Sequence, residues 1–323
     1  MYEKIRAAVG GEFGDVDAFI TEQLQSRVPL VENIGHYIVA AGGKRLRPVL
    51  VLLVAHACGS DNRRHIPLAA VIEFIHTATL LHDDVVDMSD LRRGRPTVNA
   101  EWDNPSSVLV GDFIYSRAFQ VLVEIGDMRV MRIMADTTNR IAEGEVLQLV
   151  HKHEANPTES KYMQIIESKT AILFQAAAQC AAILAGADKE TEDNLTCYGR
   201  HLGNAFQLID DVLDYAGDTV ELGKNIGDDL AEGKPTLPLI YALQNGDEAG
   251  VKLIRDSLTA KTVDAAMLRD VIAVVADSGA LDYTRSVAEA QVVKARAAVA
   301  KLSPSEHLNL LLGLLDFSLA RTV

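Results

Sequence analysis

The sequence predicts a single all-α domain, and three observations carry that prediction. Hydrophobic residues make up 48% of the 323 residues but aromatics only 5%, so Ala and Leu must supply most of the core, and these residues favour helices packed closely on helices. Apolar residues recur at helical spacing in one long segment after another, with no series of alternating strands. No Gly/Ser linker or low-complexity block divides the chain, so residues 1–323 read as one domain.

Helices are expected near 47–58, 66–88, 105–125, 127–154, 158–185, 188–214 and 280–302. Pro48, Pro67 and Pro105 stand near predicted helix starts, where a missing backbone N–H costs little. Asn156-Pro157 and Ser303-Pro304 mark junctions. The stretches 88–104 and 215–235 are polar and contain Gly or Pro, and read as loops at the ends of two long helices.

A formal net charge of -14 argues against nucleic acid or anionic lipid as a general partner. Cys58, Cys180 and Cys197 are odd in number and form no CxxC pair, which fits reduced thiols in a cytoplasmic protein. Residues 1–20 carry Glu3, Glu12, Asp15 and Asp17 and no signal-like apolar core. The longest apolar stretches, 49–58 and 174–187, are too short or too interrupted to cross a bilayer. At most a transient membrane contact, for release of a hydrophobic product, is expected.

Two carboxylate clusters stand out, Asp83-Asp84-Val85-Val86-Asp87 and Asp210-Asp211-Val212-Leu213-Asp214. Residues four apart on a helix place their Cβ atoms about 5–6 Å from each other, so the outer aspartates of each cluster can share a hard cation. Mg2+ suits this donor set because it joins a few carboxylates to substrate phosphates while keeping waters; Mn2+ is the alternative. One DDxxD alone is as readily an acidic, solvated helix end. Two copies, each after an apolar helix, favour function.

Cations that could meet phosphate oxygens accompany the clusters. Gly42-Gly43-Lys44-Arg45-Leu46-Arg47-Pro48 precedes a helix, Arg92-Arg93 follows the first cluster, Lys169-Thr170 lies on another helix, and Lys224 and Lys234 flank the loop after the second cluster. Guanidinium groups bind phosphate as a planar fork and lysines as point charges. Each alone is more often a surface residue than a ligand; the combination is the signal.

With GGKRLRP at 42–48, IEFIHTATLLHDDVVD at 72–87, GDFIYSRAFQ at 111–120, IAEGEVLQL at 141–149, GNAFQLIDDVLDY at 203–215 and GDDLAEGKPTLPL at 227–239, the chain resembles the trans-polyprenyl diphosphate synthases, particularly the bacterial octaprenyl type. The resemblance implies an isoprenoid synthase fold, with helices around a deep central cavity, and a homodimer. It implies that Asp83, Asp84 and Asp87 hold Mg2+ on one side of an allylic diphosphate (farnesyl or geranyl) and Asp210, Asp211 and Asp214 on the other. Lys44, Arg47, His76 and Arg93 match an isopentenyl diphosphate site; Arg92, Lys169, Thr170, Gln207, Lys224 and Lys234 match the allylic site. Lys169 also joins the aspartates as a catalytic candidate, whereas Arg45 is less secure as a direct ligand. Without the motif, His76 on its apolar helix would read as structural. The implied reaction is ionisation, attack by the isopentenyl double bond and proton loss, repeated to lengthen the chain, for a quinone side chain such as that of ubiquinone.

Terpene cyclases also ionise allylic diphosphates, and a non-catalytic prenyl-binding subunit of a heteromer is a second alternative. Two intact clusters plus an acceptor site favour elongation. Ala78 and Thr79, five and four positions before Asp83, are small, so no aromatic plug blocks a growing chain there. A product around C40 is expected, with C45 and C50 as close alternatives, and Ile75, Leu122, Met131 and Met134 are candidates for a deeper floor or, singly, ordinary core. Packed interiors tolerate added volume poorly, so Ala78→Tyr should shorten the products formed from labelled isopentenyl diphosphate. An unchanged product ladder would remove Ala78 from the chain-length set.

Overall fold

The computed structural model describes residues 2–216, 226–260 and 262–321. These are helical apart from turns and one hairpin, Leu91–Arg92 paired antiparallel with Arg95–Pro96. The chain divides into two compact units, one of Met1–Thr138, Leu173–Gly199 and Arg296–Phe317, the other of Asn139–Ile172, Arg200–Ala295 and Ser318–Val323. No described helix is long and apolar enough to cross a membrane.

The core of the first unit is built on α4 (Leu46–Ala57) and α5 (His65–Val86). From Pro48 through Ala55 every residue of α4 is buried, the mark of a helix apolar all round and enclosed by others. Helix α5 packs on α4 and along α7 (Asn104–Ile125), burying Leu68, Ile72, Ile75 and Ala78 on a repeating helical stripe. Helix α2 (Gly10–Gln23) adds Phe13, Val16 and Ile20 against both. The proline-marked starts hold: Pro105 lies in the first turn of α7, and the Asp103 carboxylate accepts the Ser106 amide at 2.7 Å as its N-cap.

The expected loop at 88–104 contains the hairpin and a short helix, Val98–Glu101. Residues 2–8, 29–40, 237–245, 248–259, 265–277 and 306–319 are helical as well, beyond the segments that periodicity singled out. The segment expected as one helix over 158–185 is three pieces: Glu159–Ile166, a π-helical turn Glu167–Ala171, and Ile172–Leu184. Its inserted turn carries Lys169 and Thr170, and π-turns often sit at functional positions.

Two glycines make room for that turn in the second unit. A Cβ on Gly203 would lie 2.5 Å from Ala171 Cα, and one on Gly144 would lie 2.9 Å from Ser168 Cβ and 3.0 Å from the Lys169 amide nitrogen. Backbone and Cβ atoms cannot swing aside as a long side chain can, so IAEGEVLQL and GNAFQLIDD need glycine where they hold the turn. Beside it, Tyr162, Ile166, Leu208, Ile209 and Leu237 form one apolar cluster; Leu230, Leu239, Ile254, Leu258 and Val271 belong to another.

Two opposed effects predict the sign of a glycine series. Replacing a mid-helix glycine by alanine gains about 1 kcal/mol from helix propensity, while forcing a methyl into packed atoms costs about 1–3 kcal/mol. Gly14→Ala, with nothing within 4 Å of the new methyl, should raise the denaturation midpoint, and Gly203→Ala should lower it. Equal shifts in the two variants would contradict the close approach.

Candidate active site

The first aspartate cluster ends α5. Asp83 lies in its last turn, and the Asp87 amide donates to the Asp83 carbonyl at 2.8 Å. Asp83 and Asp87 are partly exposed, whereas Asp84 is only 3% exposed. A buried carboxylate needs a cationic or hydrogen-bonding partner. Arg92 supplies it from the hairpin, donating from Nε at 2.9 Å and Nη2 at 2.6 Å to the same Asp84 oxygen.

The hairpin aims the neighbouring arginine elsewhere. Arg93 (φ 54°) and Gly94 (φ 72°) turn the chain, and the Arg93 guanidinium donates to the Gly42 carbonyl. A Cβ on Gly43 would meet that guanidinium at 2.6–2.9 Å, and Gly43 itself has φ 140°. Gly43 thus leaves space for Arg93, and Gly42 supplies the carbonyl that accepts from it. Arg45 forms ion pairs with Asp17 and, at 3.9 Å, with Glu73, which fits its weaker standing as a phosphate ligand. Arg47 places its guanidinium 4.4 Å from the centre of the Phe174 ring, and the Lys44 ammonium lies 5.3 Å from that of Phe317.

A cleft of about 850 Å3, its open mouth included, gathers several of these groups within the first unit; His76, Arg92, Arg93, Asp84, Arg45 and Glu73 all line it. Burial pushes the His76 imidazole well below its usual pKa, and the positive charges of Arg47, Arg93 and Arg92 push the same way. His76 is therefore a neutral ring among arginines, able to donate one hydrogen bond but not to add charge. Burial raises the Glu73 carboxyl, against the pull of Arg45, Arg47 and Arg93. Of the proposed chain-length residues, Ile75, Ala78, Leu122 and Met134 are buried, while Thr79 and Met131 are partly exposed. The Thr79 hydroxyl donates to the His76 carbonyl at 2.8 Å.

The second cluster repeats this pattern with other partners. It lies near the end of helix α11 (Lys189–Ala216). Asp210 and Asp214 are partly exposed and Asp211 is 2% exposed. Among the described residues no arginine meets Asp211; it accepts the Tyr162 hydroxyl at 2.5 Å and the Gln207 amide at 2.8 Å, and Gln207 accepts the Thr170 hydroxyl at 2.9 Å. Burial raises the Asp211 pKa well above the usual carboxylate value; the charges of Asp229 and Asp210 add to this, and the two hydrogen bonds oppose it. The Asp214 carbonyl accepts the Gly227 amide at 2.8 Å. Asp210 pairs with Arg321 at 2.6 Å, and that guanidinium lies 4.1 Å from the centre of the Phe206 ring.

Lys169 reaches from the π-turn to Glu145 at 2.7 Å and Gln148 at 2.9 Å. Lys234 is ion-paired with Glu232. Lys224 lies outside the described residues. Sequence reasoning missed Tyr162, Glu145, Gln148, Asp229 and Arg321. Glu145, Gln148 and Asp229 stand inside quoted motifs, so a search for partners of the buried cations and carboxylates had material to find them. Tyr162 and Arg321 belong to no such motif.

Comparison with known proteins gives a consistent result. Residues 28–275 match the family described as polyprenyl synthetase. The chain is 49% identical over 319 residues to octaprenyl diphosphate synthase of Escherichia coli K12, covering 99% of this chain and 98% of that one. It is also 49% identical over 320 residues, 99% of this chain and 98% of the other, to a geranyl-diphosphate-specific all-trans-nonaprenyl-diphosphate synthase of Rhodobacter capsulatus. Among solved structures it is similar to a polyprenyl synthase from Caulobacter crescentus complexed with calcium and isoprenyl diphosphate, with a TM-score of 0.97, 41% identity, and coverage of 100% of this chain and 98% of that one. A decaprenyl diphosphate synthase from Rhodobacter capsulatus gives 0.93 and 42%, with all of both chains covered. The chain has the all-α isoprenoid synthase fold and belongs to the polyprenyl synthetase family of prenyltransferases.

Proposed function

We propose that the chain lengthens an allylic diphosphate by repeated trans condensation with isopentenyl diphosphate, ending around octaprenyl, and that Mg2+ is its metal. The observation that carries the metal assignment is the shared pattern of the two clusters, a buried middle aspartate between two partly exposed ones. The outer residues, Asp83 and Asp87 in one and Asp210 and Asp214 in the other, are accessible to a hydrated ion. Asp84 and Asp211 are held in place by protein donors. The donors are hard oxygens throughout, the class that Mg2+ prefers. When bound, the metal would neutralise charge on the departing diphosphate.

The chain's own groups would do the positioning. Lys44, Arg47 and Arg93 would bind the isopentenyl diphosphate, with His76 donating as a neutral ring. Arg92, Lys169, Thr170, Gln207, Lys224 and Lys234 would hold the allylic diphosphate. Lys169 is oriented by Glu145 and Gln148, so its ammonium is already ordered before a ligand arrives. No protein base is assigned, since the released diphosphate can take the proton. The octaprenyl and nonaprenyl names of the relatives at 49% identity support a long product, and a ubiquinone-type side chain is its proposed use. Residues 1–323 are proposed to act as one catalytic domain. A cytoplasmic homodimer is part of the proposal: Leu109, Val123 and Met128 of the first unit are 66%, 68% and 76% exposed, apolar surface suited to a second copy.

Mass spectrometry of products from the purified chain, isopentenyl diphosphate, Mg2+ and either farnesyl or geranyl diphosphate tests the proposal. A ladder of linear diphosphates ending near C40 is expected, and it should vanish on chelation. Cyclic hydrocarbon from farnesyl diphosphate alone, or incorporation only after a partner chain is added, would overturn it.

A further inference from the structure

Away from the aspartate clusters, the first unit gathers Glu12, His56 and His65 so that one ligand atom from each lies within 4.8 Å of the others. His56 closes the last turn of α4, His65 opens α5, and Glu12 comes from α2, which packs on both. The two imidazoles present Nε2 to opposite oxygens of one carboxylate, at 2.5 Å for His56 to Glu12 Oε2 and 3.0 Å for His65 to Oε1. The His307 ring stacks on His56 at 4.8 Å between centres and covers one of its faces.

We propose that this is a second metal site, for an imidazole-preferring divalent transition ion of the Zn2+ type, separate from the proposed Mg2+ chemistry. Two neutral imidazole nitrogens and one carboxylate make a three-ligand set of the kind that holds Zn2+ with a fourth position left to water. Magnesium avoids such nitrogen-rich sets. Side-chain exposures of 29% at His56 and 22% at Glu12 leave a path for the ion, while His65 is 3% exposed and fixed in place. His65 and Asp83 lie on one helix, 18 residues apart by their numbers, which is roughly 27 Å at helical rise.

Binding requires each ring to offer its Nε2 lone pair, so the remaining proton moves to Nδ1. The buried His65 Nδ1 has no hydrogen-bond partner, and lack of such outer support lowers metal affinity by about 10–100-fold. The site is accordingly of moderate affinity, and its effect is to fasten helix α2 to α4 and α5.

The test uses the full chain, stripped with chelator and returned to millimolar Mg2+ so that the aspartate clusters are occupied alike in every variant. Zn2+ bound at equilibrium, the visible spectrum with Co2+, and the thermal midpoint are then compared with those of Glu12→Gln and His56→Ala. Glu12→Gln keeps an oxygen that can accept from the histidines but loses the anionic ligand, which separates a metal site from a simple hydrogen-bond network. The wild type should bind one more equivalent of Zn2+ than either variant, show a Co2+ d–d band that both lack, and alone gain thermal stability with Zn2+. Both variants should keep wild-type isopentenyl incorporation in Mg2+. Equal Zn2+ binding and equal Co2+ spectra across the three folded proteins would overturn the proposal.

Discussion

Burial of a carboxylate at the end of an apolar helix is the constraint around which the rest of the site is arranged. Asp84 and Asp211 are 3% and 2% exposed, and an ionised carboxylate cannot be left there without donors. At Asp84 the donor is an arginine delivered by a hairpin, which requires the turn at Arg93-Gly94 and the glycine at 43 that leaves space for its neighbour. At Asp211 the donors are neutral, a tyrosine and a glutamine, and the glutamine is tied in turn to Thr170 on a π-turn that Gly144 and Gly203 admit. Motifs scattered over the sequence therefore serve single local demands.

The two solutions differ in electrostatic consequence. The charge on Asp84 is matched by a full positive charge at hydrogen-bond distance. Among the described residues Asp211 is met by the dipoles of Tyr162 and Gln207, and it faces the negative charges of Asp229 and Asp210. Its raised pKa means that the folded chain holds a proton there more tightly than the unfolded chain does. Its contribution to stability is therefore largest at low pH and is lost as pH rises through the folded value. Stability is given up at a position proposed to hold a cation, the trade expected of functional sites. Arg321, beside Asp210, offsets part of the same charge.

Much of this was readable from the sequence, for physical reasons. Helix periodicity located the long central helices, because their apolar residues recur over many turns; it missed 248–259 and 265–277, which span only 12 and 13 residues. The i,i+4 spacing placed Asp83 with Asp87, and Asp210 with Asp214, on one helix face, able to share a cation. It did not show that the middle residues are buried, because that depends on what packs over the helix end. The π-turn at 167–171 was invisible for a similar reason: Glu-Ser-Lys-Thr-Ala suits an ordinary helix, and the room for the inserted residue comes from Gly144 and Gly203, distant in sequence. Partners distant in sequence, such as Tyr162 for Asp211 and Glu12 for His56 and His65, leave no local trace.

The measurement that bears most directly on this account is the thermal midpoint of the wild type and Asp211→Asn at neutral pH, each with and without Mg2+. Asparagine keeps the shape and can still accept from Gln207, while the charge is removed and the bond with the Tyr162 hydroxyl reverses direction. The account predicts that Asp211→Asn melts higher than the wild type without metal and gains less from Mg2+. A variant that melts lower than the wild type without metal, with an undiminished response to Mg2+, would contradict it.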